Sequence, residues 1–212
     1  MRKIQIKICG MKFSENTKEI IQLSPDFLGF IFYKKSPRYF EETIPEINPD
    51  IKRVGVFVNA SLEEIREKSK QYALDCIQLH GDETPEFCTA VENNTTAKVI
   101  KAFALDSNFD FNILEPYRNS CSYFLFDTKG QYFGGNGTAF DWSILKKYTL
   151  PKEYFLSGGV SLEAAEKLSA FLKNDYSEKC FALDLNSKFE DSPGLKNSSK
   201  LKEFMQLLKQ KL

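Results

Sequence analysis

A chain of 212 residues with 42% apolar side chains, 29 basic and 29 acidic groups and a single histidine has the composition of one globular domain, not of a disordered or fibrous chain. Zero net charge removes the electrostatic footprint of a nucleic-acid or anionic-membrane binder. The longest apolar or aromatic run, Phe27 to Tyr33, falls far short of the roughly 18 residues needed to span a bilayer. The N-terminal MRKIQIKICG lacks the apolar core of a secretory signal. The expectation is one domain over residues 1–212 in the cytoplasm, without a membrane or nucleic-acid partner.

Short runs rich in β-branched and aromatic residues follow one another along the chain: KIQIKIC from Lys3, FLGFIF from Phe27, RVGVFV from Arg53, DCIQL from Asp75, KVIKAF from Lys98, SYFLFD from Ser122, EYFLS from Glu153 and CFALDL from Cys180. Their starts lie about 25 residues apart, the spacing of strands separated by crossover helices rather than by hairpins. Between the third and fourth runs, Leu62, Ile65, Tyr72 and Ala73 repeat at helical spacing behind a capping box of Ser61 and Glu64. After the seventh run, Leu162, Ala165, Leu168, Phe171 and Leu172 do the same behind Ser161 and Glu163, and Leu201, Phe204, Leu207 and Leu208 predict a C-terminal helix. The intervals after the second, fifth and sixth runs contain Pro45 and Pro49, Pro116, and the stretch from Gly130 to Gly137, so short or irregular helices are expected there.

Alternating strands and helices allow an open doubly wound sheet or a closed (β/α)8 barrel. An open dinucleotide fold would place G-x-G-x-x-G after its first strand. Here the first run ends in Cys9-Gly10-Met11, and glycine pairs appear instead after the sixth run (Gly134-Gly135) and the seventh (Gly158-Gly159), where barrels bind phosphate. The predicted fold is therefore a single-domain α/β (β/α)8 barrel.

In such a barrel, chemistry gathers at the C-terminal ends of the strands. Those ends offer Cys9, Ser36-Pro37-Arg38, Asn59, Gln78 and His80, Asp127, Ser157-Gly158-Gly159, and Asp184, Asn186 and Ser187. Cys9 is either a small buried hydrophobe or a thiolate base or nucleophile in an electropositive, partly exposed mouth. Asp127 closes the apolar run YFLF, where it could cap the next turn, pair with Lys129, or donate a proton as a general acid. Ser157-Gly158-Gly159, with Ser161 at an expected helix start, can cradle an anion on backbone N–H groups, and Asn186-Ser187 supply the other half of that site. Arg38 could hold a ligand carboxylate or remain a solvated surface side chain. His80 reads as a ligand contact or a turn residue. The odd set of five cysteines without a CxxC pair suggests neither disulfides nor a zinc site, and the four other than Cys9 read as structural.

KICGMK (Lys7 to Lys12), GFIFYKKSPRY (Gly29 to Tyr39), GVFVN (Gly55 to Asn59), IQLHGDE (Ile77 to Glu83), FDTK (Phe126 to Lys129), GGNGTAFDW (Gly134 to Trp142), SGGV (Ser157 to Val160) and LDLNSKFEDSPGLKN (Leu183 to Asn197) together resemble the phosphoribosylanthranilate isomerases over nearly the whole chain. The resemblance implies a barrel enzyme of tryptophan biosynthesis that rearranges phosphoribosylanthranilate, a small-molecule substrate, to 1-(2-carboxyphenylamino)-1-deoxyribulose 5-phosphate, as a monomer or homodimer. It implies no cofactor and no metal. By the same resemblance Cys9 matches the general base, Asp127 the general acid and Arg38 the receiver of the anthranilate carboxylate. His80 is counted with the substrate-binding residues, and Gly158, Gly159, Asn186 and Ser187 fall in the phosphate loops. The chain departs from the common pattern at Asn136, Ser157 and Lys188, all in those loops. Two rivals remain: another aldose–ketose isomerase of the same barrel class, and a non-catalytic phosphate-binding regulatory barrel, which would have no need for both Cys9 and Asp127.

Overall fold

The computed structural model describes residues 3–128 and 141–211. Eight parallel strands close into a barrel in sequence order: β1 (Gln5–Met11), β2 (Phe27–Ile31), β3 (Lys52–Phe57), β4 (Cys76–Leu79), β5 (Lys98–Leu105), β6 (Tyr123–Thr128), β7 (Tyr154–Leu156) and β8 (Cys180–Leu185). Each lies within two residues of its predicted run. β1 pairs with both β2 and β8, so no strand edge is left open.

Helices α1 (Ser14–Ile21), α2 (Leu62–Tyr72), α3 (Pro85–Asn94), α4 (Ala165–Leu172) and α5 (Ser198–Lys211) fill the intervals whose periodicity is helical. The Ser61 hydroxyl accepts the Glu64 N–H at 3.2 Å, as the capping box predicts, and Ala73 closes α2 in a left-handed conformation. α4 differs from expectation. Ser161 does not cap it: its hydroxyl accepts the Ala164 N–H at 3.3 Å within a separate turn, and the helix starts at Ala165. The three proline- or glycine-interrupted intervals behave as their composition demands. Residues 32–51 form no helix, and the intervals after β5 and β6 hold only 3₁₀ helices, Phe111–Tyr117 and Trp142–Lys147, among the described residues. The glycine-rich stretch with Gly134, Gly135 and Asn136 lies outside the described residues, as does Lys129. No helix among the described residues is long and apolar enough to cross a membrane.

Strand side chains alternate between two faces, and each face buries its own core. The outer face, with Ile8, Phe30, Phe57, Leu79, Val99, Phe126 and Leu183, packs beneath the helices. The inner face supplies a second cluster that fills the barrel, with Phe27, Val54, Cys76, Ile100, Leu125, Phe155 and Ala182, one from each of β2 to β8. After β8, a small antiparallel hairpin of β9 (Glu190–Ser192) and β10 (Leu195–Lys196) folds back over the C-terminal end of the barrel. It is tied to α1 by Asn16, whose amide accepts the Lys196 N–H at 2.7 Å and donates to the Lys196 carbonyl at 2.9 Å.

Candidate active site

Two residues beyond the apolar plug, the same inward face becomes polar. Cys76 is followed by Gln78, Leu125 by Asp127, Phe155 by Ser157 and Ala182 by Asp184, and all four of these later residues line one pocket. The eight residues singled out from sequence, Cys9, Arg38, His80, Asp127, Gly158, Gly159, Asn186 and Ser187, line that same pocket.

Cys9 ends the inward series of β1. A Cβ on Gly29 of the neighbouring strand would stand 2.8 Å from the Cys9 sulfur, so glycine there makes room for it. Gly10, at φ +79°, turns the chain where a Cβ would meet Arg38 Cδ at 2.8 Å and Asn186 Oδ1 at 2.9 Å, which explains why Cys9 is followed by glycine. Of the two sequence readings, a small buried group or a thiol in a partly exposed mouth, the structure shows burial: Cys9 lines the pocket but is only 3% exposed. Burial pushes its thiol up from the ordinary value, Lys7 and Lys196 oppose that and Asp184 adds to it.

Lys7, two residues earlier on the same face, is wholly buried, and its ammonium lies 2.8 Å from Asp184 Oδ1. Burial alone would strip its proton, but Asp184 and Cys9 together outweigh burial and hold it charged. For Asp184, burial pushes the carboxyl up while Lys7 pulls it down. Removing two charges from water is costly even when they pair.

Asp127, 7% exposed, stands at the end of β6. Its Oδ1 accepts the Thr128 N–H at 2.8 Å, the local turn contact that the sequence allowed. Its Oδ2 lies 3.6 Å from His80 Nε2. The other ring nitrogen, Nδ1, is 2.7 Å from the Gln78 amide nitrogen. With that amide donating, the ring proton sits on Nε2 and faces Asp127. Gln78 Oε1 is buried with no partner among the described residues.

Arg38 is not a solvated surface group. Glu190 on β9 grips it through Nε, at 2.9 and 3.0 Å, and through Nη2, at 2.7 Å. Lys196, fully buried, reaches Glu190 at 2.6 Å and Asn186 Oδ1 at 2.8 Å. Burial pushes the Lys196 ammonium down to about 8, with Glu190 opposing. Burial raises Glu190, but Arg38 and Lys196 outweigh it and hold the carboxylate below its usual range. The fork of Arg38 is thereby fixed in one orientation, with Nη1 left out of the clamp.

On the facing rim, Gly158 and Gly159 adopt φ +72° and +73°. A Cβ on Gly158 would come within 2.6 Å of the Thr128 nitrogen, so the first glycine is required by close approach as well as by conformation. The expected cradle is corrected in one respect: this loop leads into a turn and not directly into a helix. Ser187 opens a short 3₁₀ helix, Ser187–Phe189, with Asn186 just before it.

Three participants were missed by sequence reasoning as site residues. Lys7 looks like an exposed member of an alternating strand. Glu190 and Lys196 lie after the last barrel strand, inside the stretch LDLNSKFEDSPGLKN that carries part of the resemblance. Asp184 and Gln78 were noted as strand-end residues without a role.

The model of the N-(5'-phosphoribosyl)anthranilate (PRA) isomerase family matches residues 6–207. An N-(5'-phosphoribosyl)anthranilate isomerase of Parabacteroides distasonis is 41% identical over 209 residues, covering 95% of this chain and 91% of its own. Among solved structures, phosphoribosyl anthranilate isomerase from Thermotoga maritima superposes with a TM-score of 0.83 at 32% identity, covering 98% of this chain and 100% of its own. A structure of phosphoribosyl anthranilate isomerase in complex with reduced 1-(o-carboxyphenylamino)-1-deoxyribulose 5-phosphate superposes with a TM-score of 0.80 at 30% identity, with coverage of 98% and 100%.

Proposed function

Because the chain belongs to the N-(5'-phosphoribosyl)anthranilate isomerase family, an enzyme family of tryptophan biosynthesis, we propose that it performs that isomerisation with Cys9 as general base and Asp127 as general acid. The observation that carries this division of roles is the convergence of a thiol from β1 and a carboxyl from β6 on one pocket that also holds an arginine and a pair of backbone-bare glycines.

Two proton-transfer groups are needed because one proton is given and a different one is taken. Asp127 in its protonated form donates to the ribose ring oxygen, the C1–O bond breaks, and the electron pair on the anthranilate nitrogen forms an iminium. Cys9 as thiolate removes the proton from C2, giving an enolamine that becomes the ketone when C1 gains a proton and the C2 hydroxyl loses one. The iminium is cationic, so it favours the neighbouring thiolate at the step where the base is required, against the burial that otherwise keeps Cys9 protonated. His80 steers the Asp127 carboxyl.

At one end Arg38, held by Glu190, takes the anthranilate carboxylate. At the other, the N–H groups around Gly158 and Gly159, with Asn186 and Ser187, take the phosphate. Holding both ends fixes the sugar between acid and base, where positioning lowers the barrier. The whole chain, 1–212, acts as one catalytic domain in the cytoplasm, as a monomer or homodimer, and needs neither cofactor nor metal.

The test is direct. The purified protein is expected to consume the fluorescent phosphoribosyl adduct of anthranilate with no added metal or nucleotide, and removal of tightly bound metal by a chelator should leave the rate unchanged. No consumption by the wild-type protein would overturn the reading in favour of a non-catalytic barrel.

A further inference from the structure

Lys7 is a fully buried charged side chain whose register partner on β2 is the apolar Phe27 and on β8 is Asp184. It is not among the residues that line the pocket. Yet it shares the inward face of β1 with Cys9, since residues two apart on a strand point the same way. Its ammonium lies 2.8 Å from Asp184, its register partner on β8, and its charge acts on Cys9, two residues on along the same face. Asp184 lines the pocket together with His80, just after β4, and Asp127 from β6. One buried ion pair therefore joins the inward face that carries Cys9 to the wall of the pocket that holds Asp127. Packing does not require it, because buried ion pairs can often be replaced by apolar side chains without loss of stability.

We propose that Lys7 is a positioning residue for proton transfer at Cys9: its ammonium, anchored by Asp184 on the inward face that also carries the sulfur, stabilises the thiolate that takes the C2 proton. The proposal deepens the assignment of Cys9 as base and rests on it. Lys7 stays protonated throughout, so no proton is created or lost in the step; the proton from C2 ends on sulfur.

The charged groups around Cys9 set the signs. Lys7 and Lys196 favour the thiolate, and Asp184 disfavours it. Arg38 and Glu190 stand beyond Lys196 and largely cancel one another. Without the Lys7 charge, burial and Asp184 act on the thiol with less opposition, so its titration moves to higher pH. Without the Asp184 charge, the sulfur becomes the anionic partner of Lys7, so its titration moves to lower pH. A purely structural role for the pair would not move the two variants in opposite directions.

The experiment is a pH titration of thiolate ultraviolet absorbance, each protein measured against the same protein carrying Cys9→Ala, so that only the Cys9 signal remains. Lys7→Met should shift the Cys9 titration up and Asp184→Asn should shift it down relative to wild type, and the basic limb of the kcat/KM profile should move with it. If Lys7→Met fails to fold, Asp184→Asn is compared with the double variant Lys7→Met/Asp184→Leu, and must titrate at the lower pH of the two. Unmoved titrations, or shifts in the same direction, overturn the proposal. Opposed titration shifts with an unmoved kcat/KM profile overturn Cys9 as the base, and with it the catalytic role assigned to Lys7.

Discussion

The lower and upper halves of the barrel interior are built from the same strands on the same face, yet they do opposite work. In the lower half, Phe27, Val54, Cys76, Leu125, Phe155 and Ala182 fill the barrel with apolar volume. One alternation further along, Gln78, Asp127, Ser157 and Asp184 take their places and the filling opens into a pocket. These apolar side chains contribute transfer and packing energy. The upper layer buries charges that cost stability, and its arrangement makes sense only through what it does to a ligand. A step of two residues along a strand is therefore the boundary between holding the fold together and performing chemistry.

The largest effect should come from the upper layer. Cys9→Ala is expected to lower kcat/KM by roughly 10²-fold or more, the scale of a lost general base, with an unchanged melting temperature; wild-type turnover would erase the functional half of the contrast. Next is the lower layer. Phe155 is fully buried and packs edge-on against Phe27, with ring centroids 5.3 Å apart, and against Phe181 at 5.5 Å. Phe155→Ala should cost about 3–5 kcal/mol in chemical denaturation, while the remaining folded protein keeps its turnover.

The smallest effect per measurement is the change one buried thiol makes to the pH slope of stability. Burial holds Cys76 in the lower layer and Cys88 on α3 at about 12, and Cys121 at about 11, against an ordinary thiol value of 9.0. Their folded values exceed their unfolded ones, so the stability they contribute is intact below pH 9 and is lost as pH rises towards 11–12. Each thiol should account for on the order of 1 kcal/mol per pH unit over that window. Lys196 works in the other sense. Its folded value of about 8 lies below the ordinary 10.5, so the folded state gains stability between those limits and offsets part of the loss. Denaturant midpoints measured from pH 9 upward should fall with pH, and Cys76→Ala should flatten the fall.

Much of this contrast was legible in the sequence because it rests on local periodicity. Period-two runs located all eight strands, and glycines and prolines marked the intervals without full helices. All eight candidate site residues reached one pocket because barrel topology gathers strand ends. What was not legible depends on contacts far apart in the chain. Lys7 meets Asp184 across 177 residues, and Arg38 meets Glu190 across 152. A lysine in KIQIKIC looks like the solvent-facing half of an amphipathic strand. Only closure of β1 onto β8 turns that face inward. Ser161 misled for a local reason, since the same hydroxyl can cap a helix or a single turn and the sequence does not separate the two.

The most direct test of the layered account compares neighbours on one face of one strand. Leu125→Ala and Asp127→Asn should be assayed together for kcat/KM on the anthranilate adduct and for denaturant stability. The account predicts that Leu125→Ala loses roughly 2–5 kcal/mol of stability with near-normal turnover of the folded protein, whereas Asp127→Asn keeps its stability and loses at least about 10²-fold in kcat/KM. Normal turnover in Asp127→Asn would contradict it.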